Sequence, residues 1–484
     1  MYLRLLLLSG VVCVLLGSVF AAPATGPLRV LASNPRYFTD GSGKAIYLTG
    51  SHTWCNFATA QGKSDPPLAF DFNAYLDFLA SHNHNFFRGW IWELAYSDEG
   101  FNTNGLFRWS PHPWLRTGPG DATDGKPKFD LTRFNSDFFD RIRSRAKAAG
   151  ERGFYVSIML FQGYGVQFNR NPVDGYPLDG RNNINGVDGG AKTAAHTLEY
   201  PDVTAVQDAY VRRLIDTVDD LDNVLFEISN ESGSYSTAWQ HHMIDLIHRY
   251  EAQKPKQHPV GMTYEWSGGT NEELFNSPAD WISPCESGGY GDLLDPPAAD
   301  GRKVIINDTD HSFYFTKLLS AGPVAQQSWV WRNLTRGNQT LFMDPYLARW
   351  EKRNNPIGIN PQDAAFGLSP DPYWETLRNA LGRARSYATK VDLARMTPQN
   401  ALSSTAYCLA DPGHEYLVYQ PNPDSAFTVN LAAGTYTFEW YDPSKGTVAS
   451  RGRLTTDAGS RSYAAPFSGD AVLYITDKPP TAPE

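Results

Sequence analysis

A chain of 484 residues is long enough for one large folded unit and a smaller one, because single cores stop growing well below that length. Its formal charge of −10 and its lack of basic clusters exclude nucleic acid as the natural partner, since phosphate is met by a positive surface. With 13 Trp, 25 Tyr and 26 Phe against 19% charged residues, the balance suits a large ordinary core or a cleft whose aromatic faces stack on apolar ligand surfaces.

The chain opens MYLRLLLLSGVVCVLLGSVFAAPA, with Arg4, a short apolar run and small residues before Pro23. This reads as a signal peptide over residues 1–22, cleaved on export, which makes the mature protein secreted or periplasmic. The run falls short of the ~20 residues a bilayer span needs, and no later segment is apolar enough to cross. Cys13 leaves with the signal. Cys55, Cys285 and Cys408 remain, an odd and widely spaced set that excludes a disulfide framework and a zinc site of usual spacing.

From Ala45 to Pro345, eight short apolar runs alternate with helical patterns: AIYLTG, NFFRGWIW, GFYVSIMLF, NVLFEIS, PVGMTY, DWISP, KVIIND and TLFMDP. Between the second and third, Phe134, Phe138, Ile142 and Ala146 recur at helical spacing and Gly153 closes the helix. The segment TAVQDAYVRRLIDTVDDLDN repeats the device before the fourth run. Eight strands with intervening helices predict an α/β fold, a (β/α)8 TIM barrel over residues 23–393. Tyr96 to Lys128 and Gly163 to Pro201 are too long and too rich in Gly, Asn, Asp and Trp to be plain connectors, and they follow strands two and three. Loops after strands line the active face of a barrel, so these are expected to wall its cleft. From residue 394 to 478 the pattern becomes short alternating strands, STAYCLA, EYLVYQP, AFTVNL, GTYTFEWYD and AVLYIT, which predict a small β-sandwich. Residues 479–484 read as a disordered tail.

In NVLFEISNES, strict alternation places Glu227, Ser229 and Glu231 on one face and Phe226, Ile228 and Asn230 on the other. Glu231 thus ends an inward row, where partial desolvation raises a carboxyl's pKa until it can donate a proton near neutrality. Asn230 beside it suits a substrate hydroxyl. The competing use of such a pair is to cap the helix that follows.

The segment F-E-I-S-N-E resembles the F-E-x-x-N-E segment at the end of strand four in the large clan of retaining glycoside hydrolases with (β/α)8 barrels. KFDLTRFNSDFFDRIRSRAKAAGERGFYVSIMLF resembles that clan's helix before its third strand, and Arg88 sits where those enzymes place an arginine near the nucleophile. Barrel and sandwich together resemble relatives of the apiosidase-type hydrolases, whose sandwich carries a collagen-binding label that nothing in these residues supports. The resemblance implies a secreted glycosidase acting on a polysaccharide or oligosaccharide, with Glu231 as its acid and no cofactor.

A retaining pair needs a second carboxylate about 5–5.5 Å from the acid. The clan supplies a Glu from strand seven, whereas KVIINDTDHSF offers Asp308 and Asp310, each shorter by one methylene, about 1.5 Å. Either the backbone stands closer or the pair is wider and admits a water for inversion. Asp308 directly follows the apolar run and is the expected nucleophile; Asp310 has the same parity and is the alternative. His311 is a candidate to orient the nucleophile or bind substrate. His52 and Gln162, at the ends of strands one and three, are further polar contacts. Trp54, Trp90, Trp92, Tyr264 and Trp266 follow strands at the same face, with Trp109 and Trp114 in the long second loop and Trp329 and Trp331 after strand seven. Each alone suits a core; together they suit sugar stacking, with Trp54, Trp92, Tyr264 and Trp266 the expected contacts. Glu265 and Glu286 are reserve acids.

No metal is expected, because His52, Asp308, Asp310 and His311 lack the tight ligand pairs of metal hydrolases. His82 and His84 lie before strand two, and His241 and His242 on a helix. The Asn-x-Ser/Thr matches at Asn230, Asn307, Asn333 and Asn338 carry little, since two fall inside the candidate site. Two rival classes remain, a barrel that binds glycan or matrix protein without turnover, and a polysaccharide lyase with a Tyr or His base.

Overall fold

The computed structural model describes residues 22–479, apart from Cys55, Ala58, 61–68, 98–106, 169–174, 191–192, Ser267, 290–293, 312–317, 319–321, 347–369 and Asp371. The signal segment up to residue 21, Cys55 and the last residues of the tail therefore lie outside the described residues.

All eight apolar runs form strands of one parallel sheet: β1 (Thr49–His52), β2 (Phe86–Trp90), β3 (Tyr155–Gln162), β4 (Val224–Asn230), β5 (Val260–Thr263), β6 (Trp281–Ser283), β7 (Val304–Asp308) and β8 (Gln339–Met343). Their order is β1-β8-β7-β6-β5-β4-β3-β2, each beside its sequence neighbour. β1 and β2 complete the ring through Asn85, whose N–H donates to the Thr49 carbonyl at 3.0 Å and whose side chain accepts from the Thr49 N–H at 2.9 Å. Here Gly50 is required, because a Cβ would run into the Phe86 carbonyl oxygen.

Helices α1 (Phe72–Ser81), α2 (Ser136–Glu151), α3 (Gly163–Phe168), α4 (Pro201–Val218), α5 (Thr237–Glu251), α6 (Asn271–Asn276), α7 (Pro323–Thr335) and α8 (Glu375–Lys390) follow the strands. In α2 the Asn135 side chain caps the start, and Phe138, Phe139, Ile142, Ala146 and Ala149 bury one face. Phe134 lies instead at the end of a hairpin, Trp114–Asp121 with Pro127–Phe134, inside the long loop after β2. α4 begins with Pro201 at a first-turn position, where a missing N–H costs nothing.

The lower barrel is an apolar plug. Leu48, Phe86, Tyr155, Leu225, Trp281, Val304, Ile306 and Leu341 meet inside the strands, closed from below by Leu28 and Phe38 of the N-terminal segment. After α8 the chain forms an antiparallel domain of strands β9 (Thr397–Pro398), β10 (Cys408–Asp411), β11 (Glu415–Gln420), β12 (Phe427–Leu431), β13 (Gly434–Asp442), β14 (Thr447–Thr456), β15 (Gly459–Tyr463) and β16 (Ala471–Thr476). Six pair in the order β9-β10-β11-β16-β13-β14, and β12 pairs with β15. Phe427, Val429 and Leu431 of β12 pack on Val418, Trp440 and Leu473 of the larger sheet, which makes the sandwich. A further core joins this domain to the barrel: Trp331 of α7 packs against Tyr387 of α8 and against Tyr419 and Tyr441. Among the described residues Cys285 and Cys408 are buried, and no helix is long and apolar enough to cross a membrane.

Candidate active site

Two residues above the apolar plug the barrel interior becomes charged. Arg88 extends from β2, 1% exposed, and its guanidinium is shared among several acceptors. Nε and Nη2 donate to the two oxygens of Glu227 at 2.8 and 2.5 Å, and Nη2 also donates to Asn230 Oδ1 at 2.8 Å. Nη1 donates to Asp308 Oδ2 at 3.1 Å and to Asp310 Oδ2 at 2.5 Å. One cation therefore ties the end of β4 to the end of β7. Burial works against its charge, but Glu227, Asp308 and Asp310 more than restore it and lift its pKa well above the ordinary value.

Asp308 is held from its other side by His52. Trp90 Nε1 donates to His52 Nδ1 at 2.8 Å, so the ring proton sits on Nε2, which faces Asp308 at 3.1 Å from Oδ1 and 3.0 Å from Oδ2. The Asp310 N–H donates to Asp308 Oδ1 at 3.0 Å. Burial alone would push the Asp308 carboxyl up; His52 and Arg88 outweigh it and hold the pKa well below the carboxylate range. Asp310 is the less engaged of the two, with 5% of its side chain exposed against 1% for Asp308. His311 Nδ1 is hydrogen-bonded to Ser283 Oγ at 2.8 Å, while its buried Nε2 has no hydrogen-bond partner among the described residues and lies 3.7 Å from Asp310 Oδ2. Burial and then Arg88 lower the His311 pKa to about 4, so the ring is neutral.

The strict alternation expected along β4 fails at its top. Asn230 accepts from Arg88 beside Glu227, although parity assigns the two to opposite faces, because Asn230 is the last residue of the ladder. Glu231 lies beyond the strand at φ 52°, half-buried, in the left-handed region where a side chain costs about 1–2 kcal/mol. The inward row thus passes from Glu227 to Asn230, Ser229 turns to the rear towards Ser232, and Glu231 is presented by a backbone turn. Gln167 Nε2 donates to the Glu231 carbonyl at 3.1 Å and also to that of Trp266. Gln162 accepts from Asn230 Nδ2 at 3.2 Å, which places it in the same network.

The aromatic candidates separate into two groups. Trp54 and Trp266 are partly exposed at the mouth. Trp92, at φ 50°, is 5% exposed and stacks on Trp109 with ring centroids 3.6 Å apart, and Trp90 stacks on both Trp92 and His52. Tyr264 is 4% exposed and donates its hydroxyl to the Gly269 carbonyl, so its ring belongs to the packing beneath the mouth. Trp114 packs against Tyr210 in the core, and Trp329 and Trp331 belong to α7 and the contact with the sandwich. An apolar run on a helix buried on all sides looks like a strand end, which is why SWVWRN read as part of the mouth.

Two acids at strand ends are buried with raised pKa values. Glu265, after β5, is pushed to about 7 by burial, and accepts from Thr237 Oγ1 at 2.9 Å and Gln240 Nε2 at 3.3 Å. Glu93, after β2, gave no signal in sequence. Burial pushes it to about 7 while the Gln162 N–H donates to it at 3.0 Å. His84 bonds the Arg378 carbonyl, His82 faces Glu375 and His242 faces Asp208, all away from the acids, and no group of three or more metal-ligating side chains occurs among the described residues. Asn230, Asn307, Asn333 and Asn338 are each at most 2% exposed, so none of the glycosylation motifs is accessible.

No protein-family model matches this chain, and no curated protein matches it. Solved structures do. A glycoside hydrolase family 5 protein from Bacteroides vulgatus ATCC 8482 superposes with a TM-score of 0.61 at 14% identity, covering 94% of this chain and 95% of the other. A second glycoside hydrolase gives 0.60 at 13%, covering 93% and 97%. An alpha-amylase from Geobacillus thermoleovorans, complexed with acarbose, gives 0.52 at 11%, covering 90% and 99%. The likeness is one of fold. It extends over barrel and β domain together.

Proposed function

We propose that this protein is a glycoside hydrolase that cleaves glycosidic bonds of a polysaccharide or oligosaccharide with two carboxylates from the ends of β4 and β7. The observation that carries the reading is the Arg88 guanidinium, which binds Asn230, the neighbour of Glu231, and also Asp308 and Asp310. Acids from facing strands are thereby gathered at one end of the barrel, the end where barrels of this kind place their chemistry. Glu231 protonates the leaving oxygen and then activates water. Asp308, held ionised, attacks the anomeric carbon through an oxocarbenium-like transition state. Asn230, Gln162 and His311 bind sugar hydroxyls, and Trp54 and Trp266 offer the stacking faces. His52 fixes Asp308 from the side away from substrate. Export by the signal segment would place the enzyme with its glycans outside the cell.

One observation favours a second assignment of the nucleophile. Both oxygens of Asp308 already accept hydrogen bonds, whereas Asp310 is held through Oδ2 alone among the described contacts. In that case Asp310 attacks and Asp308 serves as the ionised anchor of Arg88. The lyase alternative needs a cation to neutralise a uronate, and Arg88 is already shared by three carboxylates.

Assays of Glu231→Gln, Asp308→Asn and Asp310→Asn on a panel of plant and microbial glycans test the reading. The Glu231 variant should lose about 10²–10⁴-fold in kcat, and the more damaged Asp variant identifies the nucleophile. The anomeric form of the first product, followed by proton NMR, separates retention from inversion. Full activity in the Glu231 variant would sink the proposal, and an unsaturated product absorbing in the ultraviolet would replace it with a lyase.

A further inference from the structure

Glu231 stands at φ 52°, a conformation that persists only when its surroundings over-determine it. On its N-terminal side, Asn230 is fixed by Arg88 and Gln162. On its C-terminal side stands Ser232, 1% exposed, with Oγ 2.6 Å from Ser229 Oγ and 3.0 Å from His196 Nδ1. Ser229 is itself anchored, since Thr263 Oγ1 donates to its carbonyl at 3.0 Å.

His196 is fully buried, in a short turn that ends the long loop after β3. Its ring stacks on Trp239 of α5 with centroids 4.5 Å apart and planes 8° apart. Trp239 Nε1 donates to Gln207 Oε1, and Gln207 Nε2 returns a hydrogen bond to the Ala195 carbonyl, beside His196. Burial lowers the His196 pKa to about 3, so the ring stays neutral and orients rather than transfers protons. Space is as tightly set as hydrogen bonding. A Cβ on Gly163, the residue after β3, would lie 2.6 Å from the Ser232 Cα and closer still to its N and Oγ.

We propose that Ser232 and His196 are positioning residues that lock the backbone after Glu231, and so fix the direction in which its carboxyl leaves the chain. The role rests on Glu231 being the catalytic acid, but the backbone lock is measurable without activity. It gives the loop after β3 a second duty: its last turn passes behind β4 and holds the acid from the rear. Misplacing a catalytic group by about 1 Å costs on the order of 10²-fold in rate, so a lock of this kind acts on turnover more than on binding.

The test uses the full chain carrying Ser232→Ala, Ser232→Thr, Gly163→Ala and His196→Phe. Ser232→Ala should lower kcat about 10- to 100-fold with KM little changed, and Gly163→Ala, whose Cβ meets the Ser232 backbone, should lower kcat likewise together with the melting midpoint. Ser232→Thr, which keeps the oxygen, should restore near wild-type turnover. His196→Phe keeps a ring against Trp239 but loses Nδ1, and combined with Ser232→Ala it should cost no more than either alone. Crystal structures of wild type and Ser232→Ala read the lock directly, and Glu231 should leave the left-handed region in the variant. Wild-type kcat in Ser232→Ala, or Glu231 still near φ 52° in its structure, overturns the proposal. If Glu231→Gln is fully active, the glycosidase reading fails while the crystal comparison still decides the lock.

Discussion

The lower and upper halves of the barrel are built from the same strands and differ in almost everything else. Phe86 gives way to Arg88, Leu225 to Glu227 and Ile306 to Asp308, each within one inward step. Below that line the interior is apolar and closed by Leu28 and Phe38; above it one cation is surrounded by three carboxylates. The contrast shows how little sequence separates an apolar layer from a charged one in a parallel barrel. The lower layer needs only shape and apolar surface, while the upper one needs every charge matched.

The sharpest way to break the upper half is Arg88→Ala. It leaves Glu227, Asp308 and Asp310 facing one another without a cation, and unfolding in urea at pH 7 should show a loss of about 3–5 kcal/mol. The gap should narrow towards low pH. A carboxyl held below its unfolded value, as Asp308 is, contributes stability above the unfolded pKa and loses it as pH falls, so acid removes from the wild type what the variant already lacks. The lower half breaks differently. Leu225→Ala should cost about 2–5 kcal/mol through the cavity it leaves, with kcat on any substrate unchanged at temperatures where the variant is folded.

The smallest effect separates the halves by pH. Glu93 has a folded pKa raised from 4.5 to about 7, so the folded chain keeps a proton that the unfolded chain releases. Stability therefore falls as pH rises from about 4.5 to 7 and stays reduced above. Glu93→Gln removes that fall: thermal midpoints should match wild type near pH 4 and exceed it by a few degrees at pH 8. Equal midpoints at both pH values would show that Glu93 is not held protonated.

The barrel is legible in sequence because parallel strands buried on both faces are continuous apolar runs, and all eight runs became strands. In the sandwich, β13 and β16 match GTYTFEWYD and AVLYIT residue for residue. β14 and β15 carry no such signal, since TVASRGRLTT and GSRSY are polar and largely exposed. At the site, the acids of β4 and β7 were legible from their places after apolar runs. The left-handed turn at Glu231 was not, because Asn-Glu-Ser carries no glycine to announce it. His196 and Glu93 were missed for a related reason: each matters through contacts with residues far along the chain, and local pattern is silent about those.

Helix α7 carries a last consequence. Between Gln326 and Thr335 every residue except Arg332 is buried, because the helix serves the barrel on one side and the sandwich on the other. It has no water-facing stripe, so it holds almost no position where substitution is free. In a saturation scan of this protein, α7 would mimic an active site, intolerant from Gln326 to Thr335, although its sequence PVAQQSWVWRNLT contains no acid at all.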